Sequence, residues 1–223
     1  MTIPSLHLAL NVAMFTTELG LCTHQEEPKL LFFAKEEGQL QSSRFVPLLE
    51  QLLLQAGKSY RDIQQISVTT GPGSFTGIRL GLAAVTALAM ASENNIKIAG
   101  ISCFDVLHEA ARQEAASLPI LTVIDGKRAE LYWQWQEGDT ILTGCDTAVD
   151  LYQHWHKTPL CITGNAPFIL QQQEELLSSL WKIYPQPQLS LRYLAKRGYQ
   201  QPLPAGEYPI PLYARNADVT MPR

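Results

Sequence analysis

Charged side chains are scarce in this sequence, since they make up 17% of its 223 residues against 46% hydrophobic residues. This composition excludes a chain that is disordered throughout, and the length is sufficient to bury a substantial core. The shortage of charge suggests that part of the surface is buried against a partner. The few cysteines lack a C-x-x-C pair, which fits reduced, separately buried thiols better than a zinc site or a disulfide framework: Cys22, Cys103, Cys145 and Cys161.

The sequence also lacks a hydrophobic run long enough to cross a bilayer. Its longest apolar stretch, Leu80–Ala91, contains Thr86 and has about 12 residues, whereas a spanning helix needs roughly 20. No Lys or Arg precedes Lys29, so the apolar start does not resemble the basic region of a secretory signal. We therefore expect a cytoplasmic protein without a membrane role.

Charge of the two signs is unevenly distributed along the chain. Residues 1–181 hold 11 basic and 19 acidic side chains, and residues 182–223 hold 6 and 2, which together give the net charge of −4. The basic end, around Lys196, Arg197 and Arg215, could contact RNA directly. A solvated tail explains the same charges equally simply.

The first half of the chain predicts a mixed sheet. Three closely spaced strands indicate an antiparallel meander, and the later strands are joined to it through helical crossovers, as in the ribonuclease H-like unit. The predicted elements are strands at Ser5–Ala13, Glu18–Thr23 and Lys29–Ala34, a helix at Ser43–Ala56, a strand at Gln65–Thr70, a helix ending near Ser92, and a strand at Ile96–Ile101.

The second half is consistent with a reduced copy of this unit. We predict an α/β fold in two lobes, residues 1–102 and 103–223, in which half of the 14 prolines form an extended C-terminal strap. The predicted elements are helices at Phe104–Ala115, Ala148–His156 and Pro167–Leu180, strands at Pro119–Ile124, Glu130–Gln136 and Leu160–Thr163, and a short helix at Leu189–Gly198 in the strap.

A glycine-rich stretch between a predicted strand and a predicted helix is the most distinctive segment. Backbone amides at such a junction suit an anion such as phosphate, although a purely structural tight turn explains it equally well. The stretch has neither the Gly-Lys-Ser/Thr of a Walker A loop nor the spacing of a dinucleotide fingerprint. The candidate anion-binding residues are Gly71, Gly73, Ser74, Thr76, Gly77 and Arg79.

Two predicted helices carry more apolar and small residues than one sheet face needs. We predict that they form a partner interface, and an entirely intramolecular core is the alternative because hydrophobicity does not separate the two. The predicted interface residues are Phe45, Leu48, Leu49, Leu52, Leu53, Leu80, Ala84 and Leu88.

Catalytic and metal-binding patterns are weak. The five histidines show no H-E-x-x-H spacing, so exposed or hydrogen-bonded side chains are expected: His7, His24, His108, His154 and His156. Asp125, followed by Gly126, is explained more simply by a hairpin turn than by a metal or phosphate site. We predict no catalytic residue and no metal site.

The segment TTGPGSFTGIRLG, residues 69–81, resembles the signature of the bacterial TsaB (YeaZ) family. Weaker similarities follow in order along most of the chain: LHLAL, RFVPLLEQLLLQAG, AGISCFDVLHEAA, VIDGKRAELYWQWQ and YPIPLYARNADVT. The resemblance implies the actin-like ATPase fold in two lobes, which agrees with the strand order. It also implies a role in placing a threonylcarbamoyl group on the adenosine beside the anticodon of tRNAs that read codons beginning with A.

The same resemblance implies a set of partners. In the family, TsaB is a non-catalytic subunit that works with the metal-binding TsaD and the ATPase TsaE, contacts tRNA indirectly, and pairs with itself through the helices that correspond to residues 43–56 and 76–92. It implies no cofactor of the chain's own, and leaves ATP or ADP at the partner interface open.

Two segments of this chain depart from the patterns that the resemblance brings. TsaD carries a His-x-x-x-His metal pair where this chain has Cys103 and Leu107, and TsaB proteins usually read Asp-Thr-Ser where this chain has Asn11-Val12-Ala13. Both departures favour the non-catalytic role. The alternative function is a stand-alone nucleotide-binding enzyme that uses the turn Gly71–Gly77.

Overall fold

The first half of the chain forms a five-stranded sheet in the order β3-β2-β1-β4-β5. The computed structural model describes residues 5–14, 16–37, 41–92, 95–127, 129–171, 177–186 and 188–213. The strands β1 to β3 are antiparallel neighbours, whereas β4 and β5 run parallel to β1. The bounds are β1 Leu6–Asn11, β2 Thr16–Thr23, β3 Leu30–Glu37, α1 Gln41–Gln55, a 3₁₀ turn Tyr60–Asp62, β4 Ile63–Gly71, α2 Phe75–Ala91 and β5 Lys97–Ser102.

The second half repeats this topology. Its sheet has the order β10-β9-β6-β7-β8, which matches the first sheet strand for strand when β6 takes the place of β1. The predicted second copy is therefore confirmed at the level of strand order. The bounds are α3 Cys103–Ala115, β6 Ile120–Asp125, β7 Leu131–Glu137, β8 Thr140–Asp146, α4 Ala148–Trp155, β9 Leu160–Gly164, α5 Pro167–Gln171, β10 Trp181–Pro185 and α6 Leu191–Gln200.

Three features of the second half differ from the prediction. The strands β8 and β10 were not predicted, and residues 177–180 are not helical although the predicted helix extended to Leu180. Residues 172–176 of that predicted helix lie outside the described residues. Both missed strands lie at the two edges of the second sheet as the described residues form it, and β8 is exposed over residues 140–143, so burial leaves little mark on its sequence.

The C-terminal part of the chain returns to the first sheet. The helix α6 packs against β1, β2, β4 and β5, and its apolar side chains Leu191, Leu194 and Ala195 belong to the first hydrophobic core. The predicted assignment of everything after residue 102 to the second lobe is therefore wrong for α6. The helix α3 contacts both sheets, so the boundary after residue 102 stays a prediction.

An extended strap follows α6, as predicted, and crosses the first sheet. The Leu203 amide donates to the Ile98 carbonyl at 2.8 Å, and the Leu212 amide donates to the Thr70 carbonyl at 2.8 Å. The described part of the strap therefore reaches the carboxyl end of β4. Among the residues that the structure describes, no helix is long and apolar enough to cross a membrane.

Candidate functional site

The glycine-rich turn links β4 to α2 and presses against the hairpin between β1 and β2. The Ser74 amide donates to the Ala13 carbonyl at 2.7 Å. Gly73 has a φ of +153°, and a Cβ at this position would lie 2.0 Å from the Ala13 carbonyl oxygen. Only glycine fits such an approach between two backbones. The turn is thus a junction that fixes the β1–β2 hairpin against the start of α2.

The helix α2 is capped from within the same turn. The Ser74 hydroxyl accepts a hydrogen bond from the Gly77 amide at 3.1 Å, which satisfies one of the amides left without a partner at a helix start. Two amides of the predicted anion site, those of Ser74 and Gly77, are therefore engaged within the chain. This geometry favours the tight-turn interpretation over the anion-binding one.

The remaining residues of the turn face the end of the strap. A Cβ on Gly71, which has a φ of +110°, would lie 2.5 Å from the Leu212 carbonyl oxygen. Arg79 donates from Nε to the Tyr213 hydroxyl at 3.2 Å, and its guanidinium carbon lies 4.0 Å from the centre of the Phe75 ring. Thr76 is exposed. Tyr213 carries no local signal that would place it at this site, because 134 residues separate it from Arg79.

Asn11, at the end of β1, is held by a buried network. Its Nδ2 donates to Glu18 Oε2 at 2.7 Å, and its Oδ1 accepts from the Ala13 amide at 3.2 Å and from the Thr69 hydroxyl at 3.1 Å. Asn11 is 0% and Glu18 is 2% exposed. The buried carboxylate of this hairpin therefore lies on β2 at Glu18, and both ends of the Asn11 amide are engaged. Glu18 could have been found from the register of the hairpin, which places it opposite Asn11.

We expect Asn11→Asp to destabilise the chain by about 3 kcal/mol at pH 7, because it removes a donor and places a second carboxylate against a buried one. Urea unfolding measures this change. The double substitution Asn11→Asp/Glu18→Gln restores one donor and one acceptor and should recover most of the stability; an unchanged loss in the double variant would contradict the proposed coupling.

The second lobe carries a similar hairpin at the equivalent strand end. Asp125 Oδ1 accepts from the Lys127 amide at 2.8 Å, and Asp125 Oδ2 lies 2.5 Å from Lys127 Nζ. The turn closes with the Gly126 amide donating to the Glu130 carbonyl at 2.9 Å. The hairpin interpretation of Asp125 is therefore confirmed.

The start of α3 holds the two residues at which the resemblance expects a metal pair in the enzyme. Cys103 and Leu107 are both 0% exposed and belong to the first core. Burial raises the pKa of the Cys103 thiol to about 12, so the thiol stays protonated at neutral pH. Within the described ranges, no group of three or more His, Cys, Asp or Glu side chains could hold a metal ion.

The expectation of exposed or hydrogen-bonded histidines holds only in part, because the Nδ1 atoms of His7, His24 and His108 are buried without a hydrogen-bond partner among the described residues. His7 Nε2 lies 2.6 Å from the Ser67 hydroxyl beneath α6, and His156 Nδ1 lies 3.1 Å from the Tyr152 carbonyl. Burial, with a smaller contribution from His24, lowers the pKa of His7 to about 3. A neutral, buried imidazole of this kind has a structural role.

The predicted partner interface on α1 requires correction. The exposed fraction of its five residues is 9% or less, and all five belong to the first core: Phe45, Leu48, Leu49, Leu52 and Leu53. The helix packs against β2, β3 and α2. Because three elements surround the helix, its wide stripe of apolar side chains is buried within the chain. The predicted α2 residues Leu80, Ala84 and Leu88 are half-buried against the same core. Large apolar side chains that α1 exposes include Val46 and Leu54.

The predicted RNA contact through the basic end is also weakened. Lys196 Nζ lies 2.8 Å from Glu27 Oε1 and 3.2 Å from Glu109 Oε1, so its charge is matched within the chain. Hydrogen bonding to Glu27 raises the pKa of Lys196 further. The side chain of Arg197 is half-buried, and Arg215 lies outside the described residues.

The two lobes have the same sheet order, a three-stranded meander followed by two parallel strands. This arrangement defines the actin-like ATPase class of α/β fold. A crystal structure from Pseudomonas aeruginosa, of a protein with similarity to the peptidase YeaZ, superposes with a TM-score of 0.69 at 20% identity and covers 95% of this chain and 100% of its own. That likeness concerns the fold.

The family model described as TsaD, tRNA N6-adenosine threonylcarbamoyltransferase, matches residues 38–161, more than half of the chain. TsaB of Escherichia coli is 30% identical to this chain over 98 residues, which cover 44% of this chain and 42% of that relative. TsaB of Bacillus subtilis is 27% identical over 134 residues, which cover 59% of this chain and 56% of that relative. The chain belongs to this family, within its TsaB (YeaZ) group. It spans about half the length of the curated relatives that it matches.

Proposed function

We propose that the chain is a non-catalytic subunit in the threonylcarbamoylation of tRNA adenosine. The observation that carries the proposal is the complete burial of Cys103 and Leu107, which leaves no open ligand position where the resemblance expects the metal pair of the enzyme. The side chain of Asn11, which stands where TsaB proteins usually have Asp, supports the same conclusion, because its Nδ2 donates to Glu18 and its Oδ1 accepts from the Ala13 amide.

The partners that fit this role are a TsaD-type subunit, which would hold the metal, and a TsaE-type ATPase. The chain would act as their scaffold and activator in the cytoplasm, contact tRNA indirectly, and form a homodimer when isolated. ATP or ADP, if it contacts this chain, would do so at the partner interface. The resemblance to TsaB supports a TsaD-related partner, and the TsaD family model that matches residues 38–161 relates this chain to such a subunit.

Depletion of the chain from its own cells is expected to remove threonylcarbamoyladenosine from tRNAs that read codons beginning with A. Mass spectrometry of digested tRNA measures this loss. The wild-type chain should restore the modification, and Cys103→Ala should restore it as well, because a buried thiol has no catalytic part in this proposal. Intact modification in depleted cells would contradict the function, and failure of a folded Cys103→Ala variant would contradict the non-catalytic role.

A stand-alone nucleotide-binding enzyme remains the alternative. It would need the amides of the turn Gly71–Gly77 to face a phosphate, and those of Ser74 and Gly77 are engaged within the chain. The geometry therefore favours the subunit role.

A further inference from the structure

Two histidines lie side by side under α6, on one face of the first sheet. The register of β1 and β2 places His7 opposite Cys22, and His24 follows on the same side just past the end of β2. The centres of the two imidazole rings are 5.8 Å apart. His7 is 0% exposed, and both Nδ1 atoms are buried without a hydrogen-bond partner among the described residues. We name His7 and His24 the histidine pair.

The last turns of α6 close directly over the histidine pair. His7 Nε2 lies 2.6 Å from the Ser67 hydroxyl oxygen, and a Cβ on Gly198 of α6 would collide with that oxygen. The Tyr199 ring meets the His24 ring edge-on, with centres 5.1 Å apart. The end of α6 is thus what covers the His7 ring on this face of the sheet.

Burial keeps the imidazoles uncharged while α6 is in place. It lowers the pKa of His7 to about 3, with a smaller contribution from His24, and it lowers the pKa of His24, to which the charge of Lys97 contributes. An accessible histidine has a pKa of about 6.5. The closed form therefore keeps its full stability above this pH. It loses stability as the pH falls from about 6.5 towards 3, because only the opened form takes up the proton.

The charges around the histidine pair also oppose a bound proton. The sequence of β4 contains no titratable residue. The titratable groups of the other elements packed there are Glu18 and Cys22 on β2, Lys97 on β5, and Arg192, Tyr193, Lys196, Arg197 and Tyr199 on α6. Glu18 is bonded to Asn11 at the far end of β2, and burial raises the pKa of the Cys22 thiol to about 12, so the thiol is neutral. The remaining charges are cations, and a protonated histidine pair adds to their repulsion.

Ion pairs that hold α6 to the rest of the chain keep their charges at mildly acidic pH. Lys196 bridges Glu27 and Glu109, and Arg192 Nη2 lies 3.0 Å from Glu27 Oε2. Burial alone would raise the pKa of Glu109, but its hydrogen bond to Lys196 outweighs burial and lowers it. The carboxylate of Glu109 thus remains charged at pH 5. A weaker hold on α6 at that pH is therefore expected from the imidazoles.

We propose that α6 and the strap behind it form an acid-sensitive latch on the first sheet, which opens because the histidine pair takes up protons when α6 lifts. The strap continues from α6 and contacts the end of β4 through the Leu212 amide. Opening of the latch would therefore also release the strap from the signature turn at Gly71. Because α6 packs against strands of the first sheet, the second sheet serves as an internal reference.

Hydrogen exchange of the full chain between pH 7.5 and 5.0, read by mass spectrometry and corrected for the intrinsic exchange rate at each pH, tests the latch. His7 alone predicts that the open fraction of α6 rises about tenfold for each pH unit below about 6.5. The amides of β6 and β7 in the second sheet should keep their protection over the same range.

Three variants assign the effect to individual histidines. His7→Gln removes the titrating ring and should abolish most of the pH dependence of α6, even where it lowers protection at every pH. His24→Gln changes a half-buried side chain, should make the dependence shallower, and keeps the test available if His7→Gln does not fold. His108→Gln is the matched control: burial, with the charge of Arg112 next, also lowers the pKa of His108, but this histidine lies on α3. The dependence of α6 should survive in this variant.

Two results in the wild-type chain would overturn the latch. One is protection of α6 that is the same at pH 7.5 and 5.0. The other is an equal loss of protection in β6 and α6, because that pattern describes unfolding of the whole chain. An unchanged pH dependence in a folded His7→Gln variant, or its loss in His108→Gln, would overturn the assignment to the histidine pair.

Discussion

The substitution Leu52→Glu is expected to unfold the isolated chain. Leu52 is 0% exposed and lies in the first hydrophobic core with Leu49 and Leu53. A carboxylate there would have no partner, and the loss of apolar burial adds to the cost of an unpaired charge. The combined effect is about 5 kcal/mol or more, comparable with the whole stability of many domains. Thermal unfolding followed by circular dichroism measures it.

The matched control is Leu54→Glu, two positions further along α1. Leu54 is 81% exposed, so its substitution should change the melting temperature by no more than a few degrees. A folded Leu52→Glu variant that merely lost its partners would contradict the core described above. The pair of variants therefore decides whether the leucines of α1 are core or interface.

The strand order of the first lobe could be predicted because each element there has a strong local pattern. Strands β1 and β4 are buried over almost their whole length, and their apolar runs are bounded by turns. The strand β8 has no such run, since its residues 140–143 are exposed and the rest are half-buried. The position of β8 is set by its antiparallel pairing with β7. A pattern within β8 alone carries no information about that pairing.

The width of an apolar stripe does not tell which neighbour covers it. The stripe of α1 is wide because β2, β3 and α2 all pack against the helix, and the sequence alone leaves a partner protein as an equal explanation. The contact between Arg79 and Tyr213 has the opposite character. The two residues lie 134 positions apart, so each is inconspicuous in sequence and only the fold brings them together.

The close contact of the signature turn with the β1–β2 hairpin makes Gly73 the most sensitive position of the turn. We expect Gly73→Ala to destabilise the chain by on the order of 3 kcal/mol or more, because the new Cβ would meet the Ala13 carbonyl oxygen at 2.0 Å. The neighbour is backbone, so it can yield only by moving the hairpin and breaking the hydrogen bond from the Ser74 amide. Urea unfolding measures the loss.

Gly57→Ala separates this collision from ordinary backbone strain. Gly57 also has a positive φ, +62°, but no atom lies within 4 Å of a Cβ built there, so its substitution should cost only about 1 kcal/mol. Equal losses in the two variants would mean that the turn does not press on the hairpin. A larger loss at Gly73 would show that the Ala13 carbonyl is what excludes a side chain from the turn, since the two glycines share a positive φ and differ in what a Cβ would meet.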